Sequence, residues 1–400
     1  MARFHFPSRR KFLAGAIATL GTGIFGRSTT ALAQEALFPD IDDNDYQPAK
    51  EPLQLGKLAG KKGILYGTCV SPRRLPPSPA QWDTSPYGQI IKRQAAIITN
   101  ANMHFNLIQP TPGRFDFATP DRIMAFAHTN GMQMRGHALC WHEHFPKWMA
   151  AMDRNAAIRA MEDHISTVMG HYAGKVHSWD VVNEALNPND KVPNAMRVSE
   201  FTKTIGWDWM GFAFRAARQA DPHALLTYND YRIEVTHYGD SDGRRIGILN
   251  LLDDFRRHDI PIDAIGIQSH IDYSAWKYFD AAAYSRFLIE IAARGVKIFL
   301  TELDVIDKGS PSDSDQRDQI IADIYRTYLS VALENPAVVM VVNWGLYDQE
   351  AWQNHPTYSA NPNFRREDGT PGRGLPFDSN MRPKLAAQVI AEVLRSIKKQ

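Results

Sequence analysis

Val176-His177-Ser178-Trp179-Asp180-Val181-Val182-Asn183-Glu184 is the stretch on which the fold turns. A short run rich in β-branched and aromatic side chains reads as a buried strand. It stops on an amide and a carboxylate, a polar loop follows, and then comes an amphipathic helical stretch. The same pattern recurs eight times from Gly63 onward, the other strand candidates being Gly63–Val70, Met103–Ile108, Gln133–Trp141, Ala224–Tyr231, Ala264–His270, Lys297–Leu303 and Val338–Gly345. Helical stretches between them include Pro120–Asn130, Asn155–Ala173, Trp207–Gln219, Ala281–Ala293 and Asp315–Leu333. Thr119-Pro120 and Asp280 sit where caps and first-turn residues belong, and Gly131 and Gly295 close their helices.

Strict alternation of strand and helix is the habit of parallel βαβ units, and eight of them predict an α/β protein, a (β/α)8 TIM barrel forming a single catalytic domain over residues 57–400. A doubly wound open sheet is the rival topology. It would call for a Gly-rich phosphate loop after the first strand, and none is present. The chain's 400 residues, 44% of them hydrophobic and 22% charged, suffice for one such barrel.

The first residues differ in kind. Ser8-Arg9-Arg10-Lys11-Phe12-Leu13 precedes an apolar Gly/Ala-rich run from Ala14 to Phe25, and Ala31-Leu32-Ala33 follows. This predicts a twin-arginine signal peptide over residues 1–33, cleaved on export to the periplasm or beyond the cell. The run is shorter than the roughly 20 residues that span a bilayer and is broken by glycines, so no membrane contact is expected after cleavage. Residues 34–56, rich in Asp and Pro, read as a linker or arm. The leader holds Arg3, Arg9, Arg10, Lys11 and Arg27 and no acid, so its loss leaves the 44 acidic residues in slight excess over the basic ones. That balance lacks the footprint of a nucleic-acid-binding protein. Cys69 and Cys140 are the only cysteines and are expected to be buried apolar side chains, not parts of a disulfide framework.

Polar, aromatic and carboxylate residues gather at the carboxyl ends of the strands: His137 and Trp141, Asn183 and Glu184, Asn229, Gln268 and His270, Glu302 and Asp304, then Trp344. A barrel brings all of these ends to one rim, where its active site is built. Glu184 and Glu302 each close an otherwise apolar strand. One such Glu alone could cap a helix or pair with Arg; two on one rim predict a paired-carboxylate glycosidase. His142-Glu143-His144, with His137 and His270, invites a metal reading. No coherent three-ligand spacing supports it, so neither metal nor cofactor is expected.

The motifs RGHALCWH, WDVVNEA, TYNDY, GIQSH, FLTELD and NWG, in this order on an eightfold pattern, resemble glycoside hydrolase family 10, the endo-β-1,4-xylanases. The resemblance runs from Gly63 nearly to the end of the chain. It implies a retaining double displacement on xylan by a monomer, with Glu184 as acid/base, Glu302 as nucleophile, and His270 and Asp304 arranging the nucleophile. Asn183 corresponds to the residue that contacts the sugar 2-hydroxyl, and His137, Trp141 and Gln268 to partners of the sugar before the scissile bond. Trp344 and Trp352 resemble the pair that roofs that sugar, and Asn229 and Tyr231 point to the leaving-group side.

One departure bears on substrate. Where the family has Glu-Asn-Glu-Met-Lys-Trp, this chain has Asn100-Ala101-Asn102-Met103-His104-Phe105. Asn100 and His104 are thus expected in the distal glycone subsite with fewer hydrogen bonds to offer, which keeps open a same-fold endo-glycanase acting on another β-glycan or an exopolysaccharide. A non-catalytic glycan-binding barrel is the third reading, and it would be expected to lose Glu184 or Glu302.

Overall fold

The computed structural model describes residues 53–72 and 79–398. The expected signal peptide and all but the last residues of the expected arm lie outside the described residues. Leu53 and Leu55 are tied to Gln94 through Leu53 O at 2.8 Å and Leu55 N at 3.2 Å, and Leu55 is fully buried, so packing begins there.

Among the described residues nine strands are present: β1 (Leu65–Val70), β2 (Ile97–Asn100), β3 (Gln133–Trp141), β4 (Ser178–Asn183), β5 (Leu225–Asp230), β6 (Ala264–Ile267), β7 (His270–Asp272), β8 (Lys297–Ile306) and β9 (Val338–Asn343). All pairings are parallel. β1 pairs with β2 and β9, and β6 pairs with β8, which closes an eight-stranded barrel with β7 lying outside the ring. Helices such as Arg154–His171, Trp209–Ala220 and Ser314–Ala332 alternate with the strands. Asp280 caps its helix by accepting from Ala283 N at 2.9 Å.

Two expectations are corrected. The second strand is Ile97–Asn100, not Met103–Ile108, which contains instead a helical turn, Phe105–Ile108. Both runs are short and apolar, and periodicity cannot separate them. The β-branched Ile97-Ile98-Thr99 takes the extended form and fits between β1 and β3. The stretch Ala264–His270 is not one strand. It breaks at Ser269, whose φ is +65°, and its second half runs on as β7 beside the tail of β8, with His270 opposite Asp304.

The barrel interior changes character from floor to rim. At the floor Ile97, Ala264, Phe299, Met340 and Val342 form a cluster apart from the main core. They come from β2, β6, β8 and β9, and can meet only across the interior. Above them Arg135 of β3 lies 5.9 Å from the Phe299 ring and pairs with Asp180 of β4, both fully buried. Asp180 also holds His137 Nδ1 at 2.8 Å, so the polar column points up into the rim.

Candidate active site

The strands from β2 to β9, or the residues just after them, contribute to one cleft of about 680 Å³. Glu184 follows β4 directly. Its backbone is left-handed, with φ +57°, a strained state for a glutamate. Both sides of its backbone are pinned, the N–H donating to Asn229 O at 2.9 Å and the C=O accepting from Arg197 Nε at 2.6 Å. Glu302 sits within β8, four-hundredths exposed.

The two carboxyl groups belong to one hydrogen-bond network. Trp141 Nε1 donates to Glu184 Oε2 at 3.0 Å, and Gln268 Nε2 donates to Glu184 Oε1 at 3.0 Å and to Asn183 Oδ1 at 3.3 Å. Asn229 Nδ2 donates to Asn183 Oδ1 at 3.0 Å and to Glu302 Oε1 at 2.7 Å. On the far side His270 lies 3.2 Å from Glu302 Oε2 and 2.8 Å from Asp304 Oδ1, while Trp352 Nε1 donates to Asp304 Oδ2 at 2.8 Å.

These surroundings set the charges. Burial raises the Glu184 carboxyl to about 7, and Asp230 and Glu302 add to the rise against the hydrogen bonds of Gln268 and Trp141. Desolvation is thus the largest cause, and repulsion by Glu302 a lesser one. Burial works against a charge on His270, but Asp304 and Glu302 outweigh it and hold the imidazole well above its ordinary value. A doubly protonated ring can then donate from both nitrogens, to Asp304 and to Glu302.

Most expected residues line the cleft: His137, Trp141, Asn183, Tyr231, Gln268, His270, Trp344, Trp352 and His104. Two do not. Asn229 is fully buried, its amide nitrogen shared between Asn183 and Glu302 and its oxygen accepting from Thr301 Oγ1 at 2.7 Å. It therefore holds Glu302 in place and does not face the cleft. Asn100 is also fully buried, donating to Pro120 O at 3.3 Å and accepting from Asn102 N at 3.2 Å, so it is turned away from any sugar. Burial, with His137 and His144 behind it, keeps His104 well below its ordinary value, stacked on His144 with ring centroids 3.9 Å apart.

The sequence reading passed over Asp180 and Glu234. An acid and a base in the middle of adjacent apolar strands, Asp180 and Arg135, signal an internal pair and could have been read. Glu234, which accepts Ser269 N at 2.8 Å and Ile233 N at 2.9 Å and so holds the break before β7, carries no local signal.

A sequence model of glycosyl hydrolase family 10 matches residues 54–393. This chain belongs to glycosyl hydrolase family 10. Among relatives of the family member, endo-1,4-beta-xylanase B of Thermotoga neapolitana is 32% identical over 317 residues, covering 78% of this chain and 84% of the relative. Endo-1,4-beta-xylanase 5 of Pyricularia oryzae is 33% identical over 391 residues, 94% of this chain and 86% of the relative. The fold is similar to that of native xylanase 10B from Thermotoga maritima, with a TM-score of 0.74, 30% identity, and coverage of 86% of this chain and 98% of the other. Xylanase 10B from Thermotoga petrophila, solved with xylobiose, gives a TM-score of 0.73 at 29% identity, over 87% and 98% of the two chains. This family 10 barrel thus carries one carboxylate just past β4 and the other within β8. Among the described residues no cluster of three or more His, Cys, Asp or Glu side chains is placed to hold a metal ion.

Proposed function

We propose that this family 10 glycosidase is an endo-1,4-β-xylanase that hydrolyses internal bonds of xylan with retention of configuration. The observation that carries the chemistry is the unequal treatment of the two carboxyl groups: one is buried among uncharged donors and raised to about 7, the other is gripped by a cationic histidine. Xylan as the substrate is supported by the relatives named above.

In the first step a Glu302 oxygen attacks the anomeric carbon, the glycosidic C–O bond breaks, and the Glu184 proton passes to the departing oxygen. A glycosyl ester on Glu302 results. In the second step water gives a proton to the now ionised Glu184 and attacks the same carbon, releasing Glu302 and the sugar. Asn229 and His270 hold Glu302 on the attack line throughout. His137, Trp141, Trp344 and Trp352 would enclose the reacting sugar, and Tyr231, on the rim beyond β5, would meet the leaving sugar.

Proton NMR of the first-formed product is expected to show the β anomer. An α anomer appearing first would end the retaining assignment. We further propose that the Ser8–Leu13 leader exports the enzyme by the twin-arginine route and that it acts as a monomer. Arg9→Lys with Arg10→Lys should leave precursor inside the cell in a fractionation blot, whereas normal export of the double variant would require another route.

A further inference from the structure

The leaving-group end of the cleft is built around Tyr231 and three arginines. Arg197 Nη2 donates to Tyr231 Oη at 3.1 Å, and its other donors go to the carbonyls of Glu184 and Leu186. Arg244 lies 4.3 Å over the same ring, fully buried and bonded to Asp230 and Asp240 at 2.9 and 2.6 Å. Both guanidinium groups are turned to holding the loop, although Arg244 Nε is left without a hydrogen-bond partner. The third, its guanidinium carbon 5.8 Å from the Tyr231 ring centroid, has no such role. Arg232 lines the cleft with its side chain 60% exposed, and among the described residues its only ionic partner is Asp240, 4.0 Å away and already bound to Arg244. That separation is too long for a hydrogen bond.

Two further observations fix its direction and its surroundings. Arg232 has a left-handed backbone, φ +54°, which a non-glycine residue keeps only where its neighbours hold it. Tyr231 N bonds Asp230 Oδ1 at 2.9 Å, and Ile233 O accepts from Arg245 Nε at 2.8 Å, so the residues on either side are fixed. The acids nearby are occupied internally: Asp272 accepts from Ser274 N at 2.8 Å, and Glu234 from two backbone amides. At the opposite end of the cleft, His104 and His144 are kept uncharged, chiefly by burial. Arg232 is therefore the one arginine or lysine among the described residues lining the cleft, a charge for which a neutral xylose chain has no use.

We propose that Arg232 recognises a carboxylate on the leaving-group side of the substrate, so that the cleft prefers xylan bearing uronic acid branches. A guanidinium fork matches a carboxylate in two parallel hydrogen bonds, which a hydroxyl cannot reproduce. This inference rests on the xylanase reading and assigns the branch chemistry within it.

The test compares xylo-oligosaccharides carrying one glucuronic acid branch with the same compounds after reduction of that carboxyl to an alcohol, which keeps the bulk and removes the charge. The ratio of kcat/KM for the two should be about five- to tenfold in low salt and should shrink as salt is added. In Arg232→Asn, which tolerates the left-handed backbone, the ratio should fall to about one, and in Arg232→Lys it should lie between. A structural role through Asp240 would alter both substrates alike and leave the ratio in place. Binding to Glu302→Gln, measured by calorimetry, should show the same ordering. A ratio near one in the wild-type enzyme, or a ratio untouched by Arg232→Asn, overturns the inference while xylan turnover stands. Absence of turnover and binding on every xylan compound overturns the xylanase reading and this inference with it.

Discussion

The ends of β4 and β8 present the same side chain in opposite settings. Glu184 stands just past its strand, in a left-handed backbone pinned by Asn229 and Arg197, and its carboxyl meets only uncharged donors. Glu302 lies in the extended run of β8, two residues before Asp304, so that both point to one face and His270 can bridge them. In the proposed mechanism the same side chain thus serves as proton carrier in one setting and as nucleophile in the other. Burial among uncharged donors favours the acid form of Glu184, while His270 and Asn229 fix the direction of Glu302.

Three measurements test that contrast. The largest effect is expected from Glu302→Ala, which removes the attacking atom: turnover on xylan should drop by on the order of 10⁵-fold while circular dichroism stays native. Substantial remaining activity would mean that β8 does not hold the nucleophile. Next comes Glu184→Ala, with a loss of about 10²–10⁴-fold on xylo-oligosaccharides and far less on aryl xylosides whose leaving group needs no proton. Equal losses on both would remove the general-acid role.

The smallest and most discriminating effect concerns pH. Because Glu184 must be protonated to act, kcat/KM should fall as pH rises through about 7, the value to which burial lifts this carboxyl. Trp141 Nε1 bonds the ionised form, so Trp141→Phe should weaken that form and move the falling limb to higher pH. A limb that stays in place, or moves down, would show that the donors at β4 do not set the proton affinity.

The rim was legible in the sequence because barrel strands end where their chemistry begins; Asn183-Glu184 and Glu302-x-Asp304 needed only the strand pattern to be placed. What was hidden is where the pattern bends. Ile97–Asn100 and Phe105–Ile108 are equally short and apolar, and only pairing with β1 and β3 chooses the strand. The break at Ser269 is held by Glu234 from another loop, a long-range contact without local trace. Asn229 looked like a cleft residue because it stands in TYNDY beside Tyr231. Its place within β5, below the rim that Tyr231 reaches, instead buries it under Asn183 and against Glu302. Arg232 follows the same motif and carries no mark of being unpaired until Arg244 is seen to hold both Asp230 and Asp240.

The ion pair inside the barrel bears on assembly as well as on His137. Parallel strands with apolar faces on both sides can slide against each other at little penalty, since a leucine inside resembles a leucine outside. Asp180 and Arg135 remove that freedom, for β3 and β4 align with His137 opposite Asp180 and Arg135 opposite Ser178. A slip of one residue would turn Asp180 outward among the helices and strand Arg135 over Phe299, leaving two buried charges without partners, each broken pairing costing about 3–5 kcal/mol. Arg135 and Asp180 thus act as a proofreading step in closure: a ring assembled one notch out of line is rejected before any residue at the rim can come together.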